Sequence, residues 1–206
     1  GILVSIGHSL ATTEQVHEAV AAGACMSTHL GNGVPLQLPR HPNILWDQLA
    51  EEYLYTCLIC DGIHIPGSFI KVVMRVKDDK TLMVSDATCF AGMPPGEYDA
   101  HIGNSVIVDE ENRVTVKGSP GVLAGAAKLL GDNIQYMVNK KLSTLGHAWK
   151  MASANITGML KKYYPEFNND RDFVIFSFKE KKLVVQQVIK NGRLVFNASD
   201  LKNVKK

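Results

Sequence analysis

The sequence predicts an α/β fold: four parallel strand–helix units and a small accessory antiparallel β-sheet. Three observations predict it. Short apolar runs alternate with stretches of helical periodicity through the first half. Those runs are apolar nearly throughout, as in a parallel sheet covered on both faces. The second half carries alternating segments separated by turn-rich tetrapeptides, which indicates antiparallel pairing.

The elements follow in order. "ILVSIGHS" (2–9) reads as a strand ending in polar residues, and "ATTEQVHEAVAAG" (11–23) as a helix. Thr12 or Thr13 serves as its N-cap and Gly23 as its stop. "ACMSTHL" (24–30) is the second strand. The loop "GNGVPLQLPRHP" (31–42) leads into a helix over "NILWDQLAEEY" (43–53). "LYTCLICDG" (54–62) is the third strand, "GSFIKVVMRVKD" (67–78) a helix and "TLMVSDATC" (81–89) the fourth strand. Residues 97–118 then read as two or three antiparallel strands turning at "DEEN". Helices are expected over 123–141 and 143–163. Residues 171–197 close the chain as short strands with turns at "KEKK" and "NG", able to join the earlier β pieces in one accessory sheet.

Composition narrows the function. The chain has 206 residues, 46% of them hydrophobic and 20% charged, which predicts a globular protein with a substantial core. A formal net charge of +2 gives no support for nucleic acid or a membrane surface as partner. No apolar run reaches the roughly 18–20 residues of a membrane-crossing helix. The opening lacks the basic start of a signal peptide, and the lysine-rich end, "DLKNVKK", reads as a solvated tail. Cys57 and Cys60 have C-x-x-C spacing but lie in a strand, where residues three apart face opposite sides. The four cysteines therefore read as buried free thiols, consistent with a reducing cytoplasm.

The chemistry gathers where the four strands end. The first ends in Gly7-His8-Ser9, the second in Thr28-His29-Leu30, the third in Asp61-Gly62-Ile63-His64 and the fourth in Ser85-Asp86-Ala87. Parallel topology brings these ends to one rim. Imidazoles converging with carboxylates suit a divalent metal, zinc or iron. Such a metal lowers the pKa of a bound water to about 7. Asp86 is placed to take that proton and pass it to a leaving group. In the next loop Gly31 and Gly33 flank Asn32, and Arg40 follows with His41 beside it. Backbone donors, an amide and a guanidinium suit a phosphate. The same residues read equally well as a plain turn with a solvated arginine.

Taken together, "GHSLAT", "THLGNGVP" with "LPRHP", "CDGIHIP", "SDATCFAG", "VLAGAAKLL" and "IKNGRLVFN" resemble the N-acetylglucosamine-6-phosphate deacetylase family of the amidohydrolase superfamily. The motifs run along nearly the whole chain in family order. The resemblance implies a TIM-type (β/α)8 barrel, of which this chain would carry the second half, four of eight strands. Residues 1–96 and 119–164 would be the partial barrel, and 97–118 and 170–197 the accessory β elements. His8 and His29 resemble the imidazole ligands of the catalytic metal, and Asp86 the catalytic carboxylate. Asn32 and the backbone at Gly33 resemble phosphate contacts. Arg40 resembles the phosphate-pairing guanidinium, of its own or a neighbouring subunit's site. His64 resembles a substrate-contacting imidazole, and the segment around Leu123 a loop lining the acetyl end of the substrate.

Two departures from the family pattern matter. Asn32-Gly33-Val34 stands where the family usually has Asn-Ala-Met, which marks a divergent branch with its own sugar or acyl preference. The family's metal-binding Glu precedes the "GHS" strand, and here only Gly1 to Ile6 do. This piece alone is therefore expected to bind metal weakly, or to be metal-free and inactive. An opened barrel exposes two strand edges, so association with a second copy or with the missing half-barrel is expected. The substrate class implied is a small amino-sugar phosphate, and the reaction hydrolysis of its acetamide. Two alternatives stand beside it: another amidohydrolase acting on a different N-acyl amine or cyclic amide, and a half-barrel without catalysis that serves binding or assembly.

Overall fold

The computed structural model of the chain describes residues 1–100, 103 and 105–201. The expected strand positions 101, 102 and 104, and the tail from 202 onward, lie outside the described residues. Two compact units are present, Gly1–Asn155 and Ile156–Lys206.

The first unit opens with the expected alternation: β1 (Val4–Ile6), α1 (Thr13–Ala21), β2 (Ala24–Ser27), α2 (Ile44–Ala50), β3 (Tyr55–Ile59), α3 (Gly67–Lys77) and β4 (Thr81–Val84). The strands form one parallel sheet in the order β1-β2-β3-β4. Local chemistry sets the helix ends. Thr12 caps α1 in a reciprocal box with Gln15. The helix stops before Gly23, whose φ of 108° a side chain would oppose. Asn43 caps α2 by accepting from the backbone N–H of Leu45 and Trp46. One row across the sheet is polar and fully buried: Ser27 pairs with Thr56, and Thr56 with Thr81. Leu58, Ile59, Ile70, Val73 and Met83 are buried around it.

A second, antiparallel sheet follows in the order β5 (Gly96–Asp99), β6 (Ser105–Val108), β7 (Arg113–Val116) and β8 (Ser119–Ala126). The expected turn at 109–112 is present. Asp109 Oδ1 accepts from the N–H of Glu111 and Arg113, and Asn112 takes a positive φ. Val106, Val108, Val114, Phe90 and Ala127 form this sheet's core.

The structure corrects three expectations. Residues 123–126 are strand, not helix; the helix there, α4, runs only over Leu130–Asn139. Pairing of Leu123 with Thr115, and a φ of 80° at Gly125, override the helical propensity of "LAGAA". The helix expected over 143–163 is two, α5 (Leu145–Ala152) and α6 (Ala154–Tyr163), broken at Ser153 by φ −141° and ψ −76°. The β segments form two separate sheets, not one: β9 (Phe173–Lys179), β10 (Lys182–Lys190) and β11 (Arg193–Asn197) make their own, followed by α7 (Ala198–Leu201). Its turns use positive φ at Glu180, Lys181, Asn191 and Gly192.

All four cysteines are free. Cys25 and Cys60 are buried as expected, Cys57 is half-buried, and Cys89 is exposed because it lies past the end of β4 in a surface turn. Among the described residues no helix is long and apolar enough to cross a membrane.

Candidate active site at the strand ends

His8 follows β1 and His29 follows β2, so adjacent parallel strands deliver both rings to one place. Their Nε2 atoms lie 3.2 Å apart and the rings are inclined at 81°. Below them Ser5 Oγ and Thr28 Oγ1 are 2.5 Å apart, and Thr28 N–H donates to the Ile6 carbonyl. These bonds tie the two strand ends together. His29 is 8% exposed and its φ is 26°, a region side chains rarely use. Its buried Nδ1 has no partner among the described residues. His8 is exposed.

The loop after His29 packs back on this pair. Ser9 N–H donates to the Gly33 carbonyl at 2.9 Å, and Gly33 lies so close to His8 that a Cβ there would stand 3.0 Å from His8 Cα. Asn32 donates twice to the His29 carbonyl, from its backbone N–H at 3.0 Å and from Nδ2 at 3.2 Å. One Nδ2 hydrogen and the side-chain oxygen remain for other use. Gly31 abuts Ile65 and Phe69, which joins this loop to the segment after β3.

In that segment Asp61 and His64 form a pair that sequence reading placed side by side without joining. Asp61 Oδ2 and His64 Nδ1 are 2.7 Å apart, with the side chains 1% and 5% exposed. Burial pushes the Asp61 carboxyl up. Its hydrogen bonds from the His64 ring, the His64 N–H and the Ile63 N–H outweigh that and leave it below the usual carboxylate value. An Asp followed three residues later by His, just past a strand, was the available signal.

Asp86 follows β4 with a φ of 52° and is exposed. The end of β8 fixes its backbone: Ala126 N–H donates to the Asp86 carbonyl at 3.1 Å, and the Thr88 N–H and hydroxyl both donate to the Ala126 carbonyl. Lys128, just beyond, donates to the Asp61 carbonyl at 3.4 Å. Leu123 is half-buried within β8, three residues before Ala126. Arg40 is exposed; its carbonyl accepts from Asn43 Nδ2 at the start of α2. The structure thus brings His8, His29, Asn32 and Gly33 into direct contact. Asp86 and His64 lie past the ends of the neighbouring strands, Leu123 lies within β8, and Arg40 stands apart in the loop. A cleft of about 430 Å³ between Leu10, Thr12, Leu38, Pro39, Asn43 and Asp47 touches none of them.

The paired imidazoles fit a metal in part. Two nitrogens each about 2.05 Å from one tetrahedral metal stand about 3.3 Å apart, close to the separation here. Among the described residues no third His, Cys, Asp or Glu joins them.

Parallel strands that present paired imidazoles past their C-terminal ends, with an aspartate two strands away, are the arrangement that the resemblance to the amidohydrolase class implied. No family model matches the chain. The N-acetylglucosamine-6-phosphate deacetylase of Lysinibacillus sphaericus is 34% identical over 198 residues, covering 94% of this chain and 49% of that protein. An N-acetylgalactosamine-6-phosphate deacetylase of a Shewanella species is 30% identical over 154 residues, covering 74% of this chain and 38% of that one. The crystal structure of N-acetylglucosamine-6-phosphate deacetylase from Pasteurella multocida matches with a TM-score of 0.80 at 26% identity, over 96% of this chain and 51% of that one. By sequence and by fold, the chain belongs to the N-acetylglucosamine-6-phosphate deacetylase family. It spans about half the length of the curated relatives it matches.

Proposed function

We propose that this chain supplies part of the active site of a hydrolase that removes the acetyl group from an N-acetyl amino-sugar phosphate. The observation that carries this reading is the His8–His29 contact, with both Nε2 atoms directed at each other at the strand ends. His8 and His29 would hold a divalent metal, zinc or iron, which when bound supplies Lewis acidity and acidifies a water. Asp86 accepts the proton of the attacking water and later delivers it to the nitrogen as the C–N bond breaks. Its exposed carboxylate and fixed backbone suit a group that must change protonation during turnover. Asn32, the Gly33 backbone and Arg40 hold the phosphate, His64 contacts the sugar, and the chain around Leu123 lines the acetyl end.

Two parts of the reading reach beyond the described chain. Two imidazoles are too few donors for tight metal binding, so the remaining ligand comes from outside these residues. Both chain edges of the parallel sheet favour a partner, either a second copy or further barrel strands. The protein is read as cytoplasmic.

The test is release of acetate from N-acetylglucosamine 6-phosphate and N-acetylgalactosamine 6-phosphate, with Asp86→Asn as control. Hydrolysis that Asp86→Asn lowers by at least about a hundredfold supports the assignment. Unchanged turnover in that variant rejects it. The second reading, a half-barrel without catalysis, is favoured by the lack of a third ligand among the described residues. It predicts no acetate release even with metal added.

A further inference from the structure

We infer that Asp61 is a positioning residue that sets the tautomer of His64, so that the ring keeps its proton on Nδ1 and offers Nε2 as the atom a ligand meets. Asp61 Oδ1 accepts from Ile63 N–H at 2.8 Å and His64 N–H at 3.0 Å, which folds the chain just past β3 into a tight loop. That leaves Oδ2 for the ring, and it meets His64 Nδ1 at 2.7 Å. An ionised carboxylate only accepts hydrogen bonds, so Nδ1 must carry the hydrogen. The far nitrogen, Nε2, has no partner among the described residues, although the side chain is only 5% exposed.

The turn that carries the pair is held from two sides. Gly62 has φ 81°, and a Cβ there would stand 2.2 Å from the Tyr136 ring of α4. Lys128 donates to the Asp61 carbonyl and closes the other side of the turn. Among the described residues, the Asp61 carboxylate alone meets Nδ1. A buried ring held this way is pre-organised, and its ligand does not bear the entropy of orienting it.

The chemical consequence concerns specificity, and it rests on the functional reading above. A neutral ring with its hydrogen on Nδ1 presents a lone pair at Nε2. In that form the lone pair accepts from a hydroxyl donor on a sugar. A substrate that covers Nε2 without supplying a hydroxyl leaves that nitrogen desolvated and unpaired, which costs more than a lost surface bond.

The experiment is nitrogen-detected NMR of the folded chain with labelled histidine, under alkaline conditions where a histidine ring carries a single proton. His64 is assigned by ring-to-backbone correlations. The wild-type ring should show a protonated Nδ1 and an unprotonated Nε2. Asp61→Asn preserves the oxygen that accepts from Ile63 and His64 but presents an amide donor to the ring. It should invert the pattern, leaving Nδ1 unprotonated, while far-UV circular dichroism stays as in wild type. A wild-type ring protonated on Nε2 overturns the inference without any variant. The same pattern in wild type and folded Asp61→Asn also overturns it. None of these outcomes depends on deacetylase activity, so a failed activity assay and a failed tautomer assignment are separate results.

Discussion

Gly33 lies directly against His8. A Cβ on Gly33 would stand 3.0 Å from His8 Cα, 3.1 Å from its ring Cδ2 and 3.2 Å from its backbone nitrogen. Two of these atoms are backbone, so the obstruction cannot swing away. Gly33→Ala should destabilise the chain by about 1–3 kcal/mol and move the His8 ring from His29. Gly158, exposed in α6 with nothing within 4 Å of its Cβ position, is the contrasting site. Gly158→Ala should stabilise by roughly 0.5–1 kcal/mol. Urea denaturation of the two variants measures both, and equal effects would contradict the packing described.

The second prediction concerns the imidazole pair. If both Nε2 atoms serve one cation, His8→Ala and His29→Ala should each lower affinity for zinc or cobalt by at least about tenfold. The double variant should lose little more, because one imidazole alone no longer chelates. His17, whose side chain is 58% exposed and pairs with Glu51, is the control, and His17→Ala should bind as wild type does. Titration calorimetry on the four variants and the wild type decides it; a loss shared by His17→Ala would mark the binding as non-specific.

These two sites show what the sequence makes legible. Alternating apolar runs and capping residues such as Thr12 and Gly23 are local, so the strand–helix order and the strand-end positions of His8, His29 and Asp86 can be read directly. Pairing across distance is not local. "LAGAA" reads as helix until β7 lies beside it, and Gly33 reads as part of a cradle or a plain turn until His8 fills the space its missing Cβ leaves. Asp61 and His64 were both visible, yet their bond depends on a positive φ at Gly62 that only the tight turn requires. Composition alone left Asn32-Gly33 and Arg40 balanced between a cradle and a plain turn. The fold shows the Asn32 amide already turned onto the His29 carbonyl, which makes the loop part of the histidine's support.

Lys77 gives a pH prediction. It is 5% exposed at the end of α3, where its ammonium donates to the Glu51 carbonyl. Burial, and then the nearby Lys80 charge, hold its pKa down to about 8 from an ordinary 10.5. Between those two values the unfolded chain keeps a proton that the folded chain has released. Unfolding then takes up a proton, so stability rises with pH across this window. Measured against Lys77→Met, the wild type should gain on the order of 1–3 kcal/mol between pH 8 and pH 10.5. Denaturation at several pH values tests it, and parallel profiles for the two proteins would show that the lysine is not the cause.

The buried row Ser27-Thr56-Thr81 supports the last prediction. All three residues are 0% exposed, and none of the three hydroxyls has a hydrogen-bond partner among the described residues. A buried hydroxyl without a partner costs about 1–3 kcal/mol. Thr56 sits in the middle of the row, flanked in register by Ser27 on β2 and Thr81 on β4. Val has the same branched shape without the polar atom and the same preference for strands. Thr56→Val should therefore stabilise the chain by about 1 kcal/mol. Ser27→Val at the same level should gain less, because it inserts a larger side chain into a packed layer. A fall of more than about 1 kcal/mol for Thr56→Val in chemical denaturation would show that this hydroxyl is satisfied in solution. The row would then be a polar seam holding the sheet together, not a cost carried by the core of the sheet.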